Sequence, residues 1–388
     1  MNPLRRVRRY SLMFFALLNV YSLALFAEPN ENPFPEFKLS LVVTDLNNPW
    51  AFVFLEQDKL LITEKSGRLL LVQHGHIQSW ILGIPEVLNQ GQGGLMDVAL
   101  HPDYQNNGWI YLSYAYEDDE GNATRVIRGH LDNYTFIDQQ IIFTASPLKQ
   151  TPVHYGARLA FLPDNSLLIT VGDGFDYREE AQRLTSQLGK IIRVNDDGSL
   201  PSDNPFASHK EYDPYIYSYG HRNPQGLIYD HVNNRIIAHE HGPTGGDEIN
   251  VIEAGENYGW PVITKGTDYS GALISPYKTY PGMRLPNFDW TPSVAPSSMI
   301  QYKGAMFNEL KGDLLISTLK SHDIKWLQMK DNQFIQQHSI LGHLNHRIRD
   351  IDEDGDGAIY VLTDGENASL IKLTAKDVIV ETSQITTE

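Results

Sequence analysis

Two histidines alternate with acidic side chains and glycines in the stretch IIAHEHGPTGGDEINVIEAGENYGWP, residues 236–261. Three chemistries suit such a segment: a zinc site built on His239 and His241, a glycine-rich anion cradle, or a loop that binds a hard cation through oxygen. On an extended strand, residues two apart point the same way, so both imidazoles share a side. Zinc wants further ligands, yet the chain holds no cysteine and lacks the His-x-x-x-His spacing of zinc proteases. Other polar clusters recur along the chain, among them NQGQGGLMDVALHP, TPVHYGARLAF, YSYGHRNPQGLIYD, ISTLKSHD and NHRIRDI. Together they offer one candidate base, His154, whose neutral imidazole can accept a proton near pH 7. They also offer fixed cations at Arg222, Lys320, Arg347 and Arg349, which suit a polycarboxylate or phosphate ligand.

Side chains so far apart in sequence need a scaffold that brings them together. After the N-terminal segment, short apolar runs recur between Gly, Asn, Asp and Pro clusters, an all-β pattern. The strongest helix candidate is a short stretch around YREEAQRLTSQLGK, which reads as a loop excursion. Six segments repeat a turn followed by three apolar residues and, in most, a Thr or Ser: EQDKLLITEKSGRLLLV, HPDYQNNGWIYLSYAY, LPDNSLLITVGDG, DHVNNRIIAHEHGP, NELKGDLLISTLKSHDIKWLQM and DEDGDGAIYVLTDGENASLIKL. Their spacing suits four-stranded blades and predicts a six-bladed β-propeller, whose channel mouth would collect the polar clusters. An irregular pair of β-sandwiches is the alternative. The string DIDEDGDGAIYVLT imitates the start of an EF-hand, but Thr363 stands where that loop needs a bidentate Glu, so it reads as a blade turn.

Composition narrows the function classes. Residues 1–27 read as an export signal: Arg5, Arg6, Arg8 and Arg9 precede the apolar run SLMFFALLNVYSLALFA, with cleavage expected after Ala27. Leu25 weakens that cleavage site, which leaves an uncleaved anchor as the alternative. Residues 28–388 are then a single propeller with no second apolar span, so the body is not membrane-embedded, and the location is periplasmic or secreted. Removing the segment's four Arg leaves 27 basic against 48 acidic side chains, a net charge of −21. Such acidity argues against a nucleic-acid partner. The absence of cysteine excludes disulfides, thiolate metal sites and iron–sulfur clusters.

The ordered motifs NNPWAFVFL, GQGGLMDVALHPDY, GARLAFLPD, LGKIIRVNDDGSLPSDNPF, SYGHRNPQGL, HEHGPTGGDEIN, NYGWP and RIRDI resemble the soluble PQQ-dependent sugar dehydrogenases, the glucose/sorbosone dehydrogenase family, and its bacterial aldose sugar dehydrogenase branch in particular. The resemblance spans nearly all of the mature chain and implies the same six-bladed fold. It implies oxidation of an aldose at C1 to the lactone, with electrons passed through PQQ to an external acceptor. His154 matches the family's base and Arg222 the cation beside the reacting quinone oxygen. Gln92, Asn223, Tyr269, Lys320, Arg347 and Arg349 match cofactor contacts. Gly242 and Pro243 match carbonyl ligands of a Ca²⁺ beside PQQ, and Glu248 and Tyr258 a second Ca²⁺ site, the tyrosine through its carbonyl. The chain departs from the family at Val153, where Asp or Asn is common, and at Ala157, where Gly is common. A noncatalytic binding propeller and a calcium-dependent lactonase are the rival readings.

Overall fold

A computed structural model describes residues 34–330 and 333–376. The expected export signal, residues 1–27, lies outside the described residues. The chain folds as the expected six-bladed β-propeller of six four-stranded antiparallel sheets. The innermost strands are Pro49–Glu56, Leu95–Leu100, Gly156–Phe161, Pro224–Asp230, Pro296–Gln301 and Ile348–Glu353, here blades 1 to 6. Each packs beside the innermost strands of its two neighbours, so the ring closes. Closure is non-local: Phe37–Asn47 pairs with Glu366–Ala375 as the outermost strand of blade 6. Apolar residues of facing sheets fill the spaces between blades, as where Leu61, Leu69 and Leu71 of blade 1 meet Leu95, Ile110 and Leu112 of blade 2.

The Thr or Ser that closes each repeated apolar run has a structural task. In blade 1 the buried Thr63 hydroxyl accepts from Ala51 N–H at 3.0 Å and donates to the Met96 carbonyl of blade 2 at 2.6 Å. Ser113 links Asp97 N–H to the Ala157 carbonyl, and Thr170 links Arg158 N–H to that of Pro224, in the same way. Blade 5 relays the link through Ser297, which bonds both Ser317 and the Ile348 carbonyl. These hydroxyls satisfy buried backbone groups that would otherwise cost about 1–3 kcal/mol each. Blade 4 carries His239 at this place. Its ring fills the space over Gly226, where a Cβ would come within 2.1 Å of Nε2, and it faces the backbone of Ser298 in blade 5.

The channel is plugged at its middle by Arg158. Its guanidinium bonds Asp97 at 3.1 Å and Asp350 at 3.3 Å, and its other N–H groups reach the carbonyls of Gln225 and Ser297. It also lies 4.3 Å over the Trp50 ring. One side chain thereby ties blade 3 to all five other blades.

Two local expectations resolve simply. The helix candidate is a short 3₁₀ turn, Arg178–Gln182. The EF-hand-like string is a blade turn in which Asp354 accepts from the N–H groups of Asp356 and Ala358 and pairs with Lys372.

Candidate active site

Antiparallel pairing places the start of each innermost strand and the end of the next strand at the same channel mouth. The first set of loops supplies Asn48, Gln92, His154, Arg222, Asn223 and Arg347, and the second supplies Lys65, Asp173, His241 and Asp364. A cavity of about 360 Å³ lies there, lined by residues that include Trp50, Lys65, Gln92, Tyr155, Asn223, Arg347, Arg349 and Asp364.

Three cations share this wall with one carboxylate. Asp364 accepts from Arg347 Nε at 2.7 Å and Arg349 Nε at 3.0 Å. Burial opposes its ionisation, but Arg349 and Arg347 more than offset that and hold its pKa below the ordinary value. Lys65 Nζ donates to the Gly91 carbonyl at 3.0 Å. Its pKa is lowered by burial first and then by repulsion from Arg349. The wall thus carries an excess of positive charge that an anion with several carboxylates would balance.

His154 directly precedes Tyr155 and Gly156, both of which line the cavity. Its Nδ1 lies 2.7 Å from Asp173 Oδ1, and its backbone N–H donates to Gln92 Oε1 at 2.8 Å. An ionised carboxylate only accepts, so the proton sits on Nδ1 and Nε2 keeps its lone pair. Asp173 is anchored further by Phe175 N–H at 2.8 Å and Trp260 Nε1–H at 2.7 Å. Burial disfavours its charge, but the bond to His154 leads a set of contacts that lower its pKa overall. The His154 pKa is lowered from 6.5, chiefly by burial, with Arg222 adding and Asp173 opposing. The imidazole is therefore neutral at pH 7 and competent to take a proton.

The loop that carries the base is strained. His154, Gly156 and Ala157 have φ of 51°, 66° and 72°. Ala157 is buried and occupies a left-handed conformation that costs a residue with a Cβ about 1–2 kcal/mol, which is the physical reason a glycine suits that position.

Arg222 is buried beside the base. It donates to the carbonyls of His241 at 3.1 Å and Gly242 at 2.8 Å, and to the Tyr269 hydroxyl at 3.3 Å. Tyr269 stacks on Phe175, which meets His154 edge-on. Arg222, Phe175 and Tyr269, with Pro243 and Trp260, line a second cavity of about 160 Å³. Lys320, expected in the cation ring, is exposed at the rim, where only its neighbour Leu319 lines the larger cavity.

The opening segment forms a third space. Glu240 and Glu248 are opposed in register on adjacent strands. With Gly242, Gly246, Tyr258 and Thr264 they line a void of about 10 Å³, the size of one water or ion. Burial, followed by repulsion from Glu240, pushes Glu248 up to about 8. Two opposed carboxylates among oxygen-bearing residues fit a hard cation. Tyr258 spends its hydroxyl on Glu253 N–H and the Val251 carbonyl, so only its own carbonyl could serve as a ligand. Gly242 sits with Glu248 and Tyr258 rather than with Pro243. The two histidines hold no zinc cluster: among the described residues no group of three His, Cys, Asp or Glu is arranged for a metal, and His241 Nε2 bonds the Pro296 carbonyl at 2.7 Å.

Sequence reasoning missed Lys65, Asp173 and Asp364. The signal was available, because each follows the Thr of its repeated apolar run by one to three residues, where the second strand reaches the channel mouth.

Comparison with known proteins bears on this site. A family profile described as glucose/sorbosone dehydrogenase matches residues 46–372. The aldose sugar dehydrogenase YliI of Escherichia coli is 36% identical over 371 residues, covering 94% of this chain and 98% of that protein. The solved apo form of the soluble E. coli aldose sugar dehydrogenase superposes with a TM-score of 0.85 at 35% identity, over 88% of this chain and 100% of the other. The PQQ-bound aldose sugar dehydrogenase of Streptomyces coelicolor gives 0.72 at 25% identity, over 88% and 99%.

Proposed function

Because the chain belongs to the glucose/sorbosone dehydrogenase family, we propose that it is an exported, PQQ- and calcium-dependent enzyme that oxidises aldose sugars at C1 to lactones. The observation that carries this reading is the His154–Asp173 pair at 2.7 Å, set between Arg222 and a cavity with excess positive charge. Lys65, Arg347 and Arg349 would hold the carboxylates of PQQ, with Gln92, Asn223 and Tyr269 as further contacts and Lys320 reaching in only by reorienting from the rim. Gly242, Glu248 and Tyr258 suit Ca²⁺, with Glu240 as an added carboxylate. Pro243 belongs to the neighbouring cavity and would offer its carbonyl from there. When bound, PQQ supplies the hydride acceptor and Ca²⁺ a Lewis acid near it.

The chain's own residues handle the proton. His154 Nε2 takes the anomeric hydroxyl proton, and Asp173 fixes the imidazole's tautomer and stabilises the imidazolium that forms. The buried Arg222 guanidinium would stabilise negative charge developing beside it, in the transition state more than in the ground state. An external acceptor would take up the electrons that PQQ receives.

The test is reconstitution of purified protein with PQQ and Ca²⁺, assayed by dye reduction across a panel of aldoses, beside His154→Ala. Calcium-dependent turnover that vanishes in the variant is expected. No turnover on any aldose, or full activity in His154→Ala, would overturn the reading.

A further inference from the structure

A buried lysine lies beneath the base without a carboxylate touching it. Lys149 is 1% exposed, and its ammonium donates to Asn122 Oδ1 at 2.8 Å and to the Thr151 carbonyl at 2.5 Å. It also sits 3.5 Å over the ring of Tyr155. That ring lines the larger cavity, and its hydroxyl donates to the same Asn122 oxygen at 2.7 Å. The Lys149 side chain packs so closely under Gly174, the residue after Asp173, that a Cβ there would approach Lys149 Cδ to 2.7 Å.

Burying an ammonium costs several kcal/mol unless something nearby profits from its charge. We propose that Lys149 is a positioning residue that acts through the His154–Asp173 pair: its charge balances Asp173 and keeps the pair as carboxylate and neutral imidazole, the form that can accept a substrate proton. This rests on the reading of His154 as the base. The charged and titratable groups around Lys149 and the pair are Asp173 and His154 from the base loops, Arg222 and His241 beyond them, Tyr155 above, and Glu117, which acts on Tyr155. Asp173 is the one that favours the ammonium, whereas burial pulls Lys149 down to about 7. Lys149 therefore remains charged in the acidic range where His154 would take up a proton. There its charge opposes that uptake, along with burial and Arg222.

Removing the charge makes the imidazolium easier to form, so the His154 midpoint must rise. The experiment follows the His154 imidazole by NMR titration of histidine-labelled protein, the resonance being assigned with His154→Gln, and records the acid limb of kcat/KM after PQQ and Ca²⁺ loading. In Lys149→Met, and independently in Asn122→Asp, which sets a carboxylate against the ammonium, both midpoints should move up by about one pH unit. In Lys149→Arg they should stay at the wild-type value. An unmoved His154 midpoint in a folded Lys149→Met or Asn122→Asp protein overturns the proposal, as does a uniform loss of rate with an unchanged pH profile. The imidazole titration needs no turnover, so a protein that oxidises no sugar would defeat the functional reading while Lys149 is still judged.

Discussion

Asp173 and His154 meet at 2.7 Å across the open end of one hairpin in blade 3, the base before the innermost strand and the carboxylate after the next. Their contact depends on the hairpin's register rather than on any local motif. Val153, the neighbour at which the family commonly carries a polar residue, takes no part in it.

Asp173→Asn keeps the shape but removes the charge that fixes Nδ1–H and stabilises the imidazolium. A fall in kcat of about 10²- to 10⁴-fold is expected, with a much smaller change in KM. Steady-state kinetics of the loaded enzyme checks this; a loss confined to KM would assign Asp173 to binding instead.

Acid should destabilise the fold through His239. Burial, with His241 and Arg158 adding, lowers this imidazole from 6.5 to about 3. The unfolded chain takes up a proton below about 6.5 while the folded one stays neutral. Stability is thus present above that pH and declines as pH falls toward 3, by up to about 1.4 kcal/mol per unit. Urea melts of wild type and His239→Met between pH 6.5 and 4.5 should show a slope against pH shallower by one proton in the variant. Equal slopes would mean that His239 is protonated in the fold.

Calcium should stabilise the protein through Glu248. Adding Ca²⁺ to chelator-treated protein is expected to raise Tm by several degrees, as mass action at about 100 times Kd contributes about 2.7 kcal/mol. Glu248→Gln should abolish most of that rise without lowering the Tm of the metal-free protein, since an amide resembles the neutral carboxyl that a pKa pushed up to about 8 leaves there near pH 7. A calcium response that persists in full would place the ion elsewhere.

Arg158→Leu should be severe. It leaves Asp97 and Asp350 buried without their shared partner, a change that costs about 3–5 kcal/mol. Denaturant unfolding will report it. Asp97→Asn with Arg158→Leu should recover part of the loss, and no recovery would show that the plug acts through packing alone.

The propeller was legible in the sequence because its signal is local: six turns, each leading into an apolar run closed in most cases by a hydroxyl, and the hydroxyl proves to be the interblade staple at Thr63, Ser113 and Thr170. That His154 and Arg222 lie near each other at one channel mouth could be expected from motif resemblance and side-chain chemistry. Lys65 and Lys320 could not be ranked against each other, because each follows the Thr of its apolar run by the same two residues. Which of them faces the cavity depends on how far each turn leans over the channel, a property of packing between blades. The histidines at 239 and 241 drew attention by type, yet one substitutes for a staple and the other bonds a backbone carbonyl, while the carboxylates around them make the cation-sized void.

The seam of the ring has a consequence for the order of assembly. Asn48 N–H bonds the Gly365 carbonyl at 2.8 Å across the junction of the first and last blades. The larger cavity draws Asn48, Trp50 and Lys65 from one side of that junction and Arg347, Arg349 and Asp364 from the other. Pairing ends so distant in sequence is a late and slow event in folding. One side of the cavity wall emerges first during synthesis and waits for the other, so the proposed cofactor could be held only when the circle shuts, and its binding would in turn clasp the seam.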